Sequence, residues 1–131
     1  MESERRTLHF FEVWYVPNLL EAKRYTIGLL AFERNEKTTV FADARFLPNP
    51  ENLLSVDPSV DVDLLRAFFR EAHQQLRHSE SADAFLGTML DSFSNTFQIS
   101  DGKTILFSGE PNAEIDRFAA QVAPQLRRIS T

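Results

Sequence analysis

From Leu8 to Val16 apolar residues occupy both parities of the chain, with Leu8, Phe10, Trp14 and Val16 on one and Phe11, Val13 and Tyr15 on the other. Successive side chains of a β-strand point to opposite faces, so a strand apolar on both parities belongs in a sheet covered, at least in part, on both sides. Tyr25 to Phe32 repeats the pattern. Pro17 closes the first run, because proline cannot donate to a ladder. Gly28 lies inside the second, where an interior glycine marks a bulge or a close backbone approach.

After a turn at Asn35-Glu36, the spacing predicts a third strand over Thr38–Phe46. Val40, Ala42, Ala44 and Phe46 share one side of it, and Thr39, Phe41, Asp43 and Arg45 the other. Three sequential strands with short links predict an antiparallel meander. Pro48, Pro50 and Pro58 mark residues 47–60 as a loop crossing to another layer.

From Asp61 the period changes: Leu65, Phe68, Phe69, Ala72 and Leu76 fall on one helical face. Asp61 and Asp63 sit where carboxylates favour the exposed N–H groups of a first turn. A shorter helix is expected over 82–90, with Ser81 as N-cap and Phe85, Leu86 and Met89 inward. Past Ser94 the period returns to two, and Asp101-Gly102 between apolar runs predicts a two-residue hairpin. Pro111 opens a last helix with an Ile115, Phe118, Ala119, Val122 stripe, ended by Pro124. The fold class is therefore α+β: an antiparallel sheet, built from a three-strand N-terminal meander and a C-terminal hairpin, with two or three helices packed on one face. Residues 1–131 are read as a single domain with frayed tails at 1–6 and 125–131.

Composition narrows the chemistry. The chain has no cysteine, which removes disulfides, thiolate zinc sites and cysteine nucleophiles and fits a reducing cytoplasm. Twelve phenylalanines against two tyrosines and one tryptophan point to a core of rings without polar handles. No secretory h-region follows Met1–Arg6, and no run approaches the roughly 18 apolar residues of a membrane span. Net charge is −5, and the basic pairs Arg5-Arg6, Lys23-Arg24 and Arg127-Arg128 do not form a stripe, so nucleic acid is not the expected partner.

Tyr15-Val16-Pro17, then Ile27-Gly28-Leu29, then Arg45 resemble, in that order, the bacterial domain of unknown function 3037 family, over roughly residues 8–122. The acidic lead Val56–Leu65 and Glu114–Phe118 are similar to that family's helix entry and closing helix. Ala22-Lys23 and Thr26 depart from the pattern, which has Gly-Glu in the break and Asn before the Ile-Gly pair. The resemblance implies a small bacterial protein with a protein partner, a kinase similar to the HipA toxins.

Among chemistry-bearing residues, Asp43 and Arg45 point to the same side of one strand, where an acid and a planar guanidinium could hold a carboxylate or phosphate, or form an ion pair. Asp57, Asp61 and Asp63 lack the glycine and late glutamate of a calcium loop. His9, His73 and His78 have no metal-ligand spacing, and no nucleophile elbow or phosphate-cradling loop is present. Trp14, Tyr15, Lys23 and Arg24 flank one connection and are of types enriched in interface hot spots. The expectation is a cytoplasmic, non-catalytic accessory domain without cofactor or metal, contacting a protein partner or a second copy through Trp14, Tyr15, Lys23 and Arg24. The alternative is a small-ligand-binding or hydrolytic domain built on Asp43, Arg45 and His9.

Overall fold

A computed structural model describes residues 6–17, 23–35, 38–91, 97–100 and 102–129. The expectations placed on residues 1–5, Ala22, Glu36, Ser94, Asp101 and the last two residues lie outside these. In chain order the elements are β1 (Arg6–Tyr15), β2 (Tyr25–Asn35), β3 (Thr38–Phe46), a 3-10 helix at Pro50–Ser55, α1 (Val62–Gln75), α2 (Ser79–Asp91), β4 (Phe97–Ile99), β5 (Lys103–Phe107) and α3 (Pro111–Val122).

The α+β class, the antiparallel meander and the three helices are as the pattern predicts. The sheet runs β3-β2-β1, and β4 and β5 both lie against the remaining edge of β1. That last pairing corrects the hairpin. Val13 to Tyr15 pair with Ile99 to Phe97, and Arg6 to Phe10 pair with Phe107 to Lys103. β4 and β5 thus run the same way along β1, as two pieces of one edge. At the break Ser100 donates its N–H to the Glu12 carbonyl and accepts the Glu12 N–H on its Oγ, both near 2.9 and 2.8 Å. The central run of β1, apolar on both parities, offered a long open edge, and filling it outweighed a local turn.

The helices divide between the two faces. On one, Val13, Ile27, Leu30, Phe32, Ala44 and Phe46 bury against Leu65, Phe69, Ala72 and Leu76 of the α1 stretch and Ala82 and Leu86 of α2. On the other, Leu8, Phe10, Leu29 and Ala31 bury against Ile115 and Ala119 of α3, with Ala123 and Leu126 after it. The reason is the one the double-sided strands supply: Leu29 and Ala31 are fully buried and need a cover that α1 and α2 cannot reach. The expectation of helices on one face is corrected accordingly, and that of a sheet covered on both sides is met.

Ile27 and Gly28 form a bulge, since Val13 pairs with Gly28 and Trp14 with Thr26. Phe46 lies over Gly28, whose added Cβ would stand 3.0 Å from the ring, and stacks on Phe69 at 4.6 Å. Asp61 caps α1 by accepting the Leu64 N–H at 3.0 Å. Ser81, expected as an N-cap, lies instead within the first turn of α2, which begins at Ser79, and its Oγ donates back to the Gln75 carbonyl at 2.7 Å. Residues 123–129, expected in part to fray, cross the outer edge of β3. Arg127 and Phe46 exchange N–H and C=O groups at 2.8 Å in both directions, and Leu126 is buried.

Candidate functional site

Asp43 and Arg45 do share a side of β3, but the α3 face buries both, at 6% and 3% exposure. Each guanidinium nitrogen of Arg45 has its own partner. Its Nε donates to Asp116 Oδ1 at 2.9 Å, its Nη2 to Asn112 Oδ1 at 3.2 Å, and its Nη1 to the Ala44 carbonyl at 3.0 Å. Asp43 Oδ1 accepts the Ala44 N–H at 2.8 Å, while Oδ2 lies 3.4 Å from Arg45 and 3.2 Å from Arg128. The pair ties β3 to α3 and to the C-terminal segment. A guanidinium so engaged keeps little for a ligand.

His9 is not part of that group. It lies on the opposite parity of β1, on the side of α1 and α2, with Nδ1 3.1 Å from Thr104 Oγ1. Burial, with the Arg34 charge adding to it, lowers its pKa below 6.5. The sheet separates His9 from Asp43 and Arg45.

The residues flanking the β1–β2 connection are also divided. Arg24 stacks on Trp14, its guanidinium carbon 3.8 Å from the ring, and the Trp14 Nε1 donates to Glu12 at 3.1 Å. Lys23 is exposed. Tyr15 points the other way into the core, 4% exposed, and its hydroxyl donates to Asp57. Burial first and that hydrogen bond second raise the Tyr15 pKa, and the same bond lowers that of Asp57. Trp14, Arg24 and Lys23 can therefore form one surface, without Tyr15.

A different site assembles along the outer edge of β3, where α1 and residues 127–129 leave a groove. It consists of two adjoining cavities of about 520 and 680 Å³ that share Arg128 and Ile129. Phe46, Phe69, Leu76 and Ile129 give it an apolar floor. Its rims carry five arginines, Arg66, Arg70, Arg77, Arg127 and Arg128, together with His73, against one carboxylate, Asp43.

The helix explains the cluster. Residues 66, 70 and 73 of α1 are spaced four and three apart, which places them on a single stripe at 3.6 residues per turn, and Arg77, in the turn just past the helix, continues the spacing. The neighbouring stripe, Leu65, Phe69, Ala72 and Leu76, is buried and fixes the helix's rotation. Arg66 is bound to both oxygens of Glu51 at 2.7 Å, and Arg127 donates to the Leu126 carbonyl at 2.8 Å. Among the described residues, no hydrogen bond or ion pair engages the guanidinium of Arg70 or Arg77. The Arg127-Arg128 pair is evident along the sequence, whereas this stripe is visible only in helical phase.

Among the described residues, no group of three His, Asp or Glu side chains is placed to hold a metal. No helix among them is long and apolar enough to cross a membrane. No family model, no curated protein and no solved structure matches the chain.

Proposed function

We propose that this chain is a non-catalytic binding domain that contacts another macromolecule, and that the arginine-lined groove beside β3 is its recognition surface. One observation carries the reading. In a chain of net charge −5, five of fourteen basic residues converge on one apolar-floored groove, and two of them have no partner among the described residues. Unpaired like charges repel one another, so holding them together costs stability unless an anion is bound. Arginine offers a planar fork suited to carboxylate or phosphate, and an apolar floor strengthens such bonds by excluding water. The resemblance to the domain of unknown function 3037 family, with the protein partner it implies, agrees with this reading.

Calorimetric titration with a short oligo-glutamate peptide tests it. Binding that weakens about tenfold or more in Arg70→Ala/Arg77→Ala, with a melting temperature that holds or rises as the like-charge repulsion is relieved, is the expected result. Equal binding by the variant would remove the groove from the account.

A further inference from the structure

We infer, resting on the anion-binding reading above, that the occupant of the groove is an extended acidic peptide segment, which offers carboxylates to Arg70 and Arg77 and its backbone to Ala42.

The backbone phase of β3 carries the second half of that statement. Phe46 exchanges both its N–H and its C=O with Arg127, so these groups point away from β2. The register of Phe41 to Phe46 against Glu33 to Gly28 is unbroken, so the same outward phase recurs at Ala44 and Ala42. At Ala44 both outward groups are taken within the strand: the N–H by Asp43 Oδ1 at 2.8 Å and the carbonyl by Arg45 Nη1 at 3.0 Å. At Ala42 neither has a partner among the described residues, and Ala42 lines the cavity that Arg77 and Arg128 also line.

A free donor and acceptor side by side on a strand edge are what an extended peptide satisfies. The sugar-phosphate backbone of DNA can accept from the N–H but carries no donor to match the carbonyl. Charge points the same way. The net −5 of the chain opposes a long polyanion, whereas a short acidic segment feels chiefly the arginines within the ~8 Å screening length. From Arg66 along α1 and through the turn to Arg77, the row spans about 16 Å at the helical rise, the length of about five extended residues.

Two features limit the pairing to Ala42. Upstream, β3 bulges at Val40, since Glu33 pairs with Phe41 and Arg34 with Thr39. Downstream, the edge is closed by the Asp43 and Arg45 side chains and by Arg127. The backbone contact is therefore one residue long, and binding depends on charge and falls with salt.

Fluorescence anisotropy with a labelled peptide alternating glutamate and threonine tests this. The controls are its glutamine analogue, its alternately N-methylated form and a single-stranded oligothymidylate. The glutamate peptide is expected to bind at least about tenfold more tightly than the glutamine peptide. N-methylation, and separately Ala42→Pro, are each expected to weaken it about five- to tenfold. Proline is tolerated where the lost N–H faces outward on an edge, and the methylated peptide tests the same bond in the unaltered protein. Tighter binding of oligothymidylate than of the peptide, or indifference to both backbone changes, would overturn the peptide assignment while leaving an anion groove. Indifference of every anion to Arg70→Ala/Arg77→Ala would overturn the underlying reading itself.

Discussion

Arg128 crosses the outer edge of β3 to set its Nε 3.2 Å from Oδ2 of Asp43. The contact links the chain's C-terminal segment to a carboxylate that also caps the Ala44 N–H and faces Arg45 at 3.4 Å. Arg45 in turn reaches α3 through Asp116. One buried carboxylate thus joins the edge of the sheet, the last helix and one rim of the groove. This explains why two ionic residues stand on the buried α3 face of β3: they close an edge that would otherwise be open to pairing.

Replacing Asp43 by Ala leaves two guanidiniums facing a cavity and an uncapped Ala44 N–H. The expected loss is about 3 kcal/mol in urea denaturation. Asp116→Ala, at a side chain 69% exposed, is expected to cost under about 1 kcal/mol. Equal losses would show that Asp43 has no special place in the network.

Two glycines give opposite expectations. A Cβ at Gly28 would meet the Phe46 ring at 3.0 Å and Val13 at 3.4 Å, and Phe46 is pinned by its stack on Phe69. Gly28→Ala is therefore expected to destabilise by about 2 kcal/mol. Gly87, inside α2, has nothing within 4 Å of such a Cβ. Gly87→Ala is expected to raise stability by about 0.5–1 kcal/mol, because alanine loses less backbone freedom in a helix. Thermal melts of both variants decide the matter.

The His9 pKa lies below its ordinary 6.5 in the folded chain, through burial and then the Arg34 charge. The unfolded chain therefore binds the proton more readily, and stability rises with pH across that window. Urea midpoints are expected to fall as pH drops below about 6.5 and to level off below the depressed folded value. In His9→Gln this limb should flatten. An unchanged slope would show that His9 does not set it.

Tyr15 and Asp57 act on either side of that window. Asp57 is lowered chiefly by the Tyr15 hydroxyl, so its contribution is present above pH 3.8 and is lost as pH falls through the lower folded value. Tyr15 is raised by burial and by the same bond, so its contribution is present below pH 10 and is lost above it. Tyr15→Phe is expected to weaken both the acid and the alkaline dependence. A change confined to one limb would contradict the shared bond.

Much of the fold was legible because it is periodic. The bounds of β3, Thr38–Phe46, and the start of α3 at Pro111 follow from alternation and from proline's fixed φ. The buried stripe of α1 follows from Leu65, Phe69, Ala72 and Leu76. The hairpin signal of Asp-Gly is local, whereas the pairing of β4 and β5 depends on which edge of β1 is vacant. The division of the helices was implicit in Leu29 and Ala31, whose burial no one-sided layer provides. The groove was least legible. Its α1 arginines form a stripe only in helical phase, and Arg127 and Arg128 join them only through the bridge to Phe46.

The central claim is the location of the recognition surface, and amide chemical-shift mapping tests it most directly. On titrating the acidic peptide into isotope-labelled protein, the account predicts shifts confined to Ala42, Arg70, Arg77 and Arg127 to Ile129. Shifts gathered instead at Trp14, Lys23 and Arg24, with the groove silent, would contradict it and return the binding surface to the β1–β2 connection.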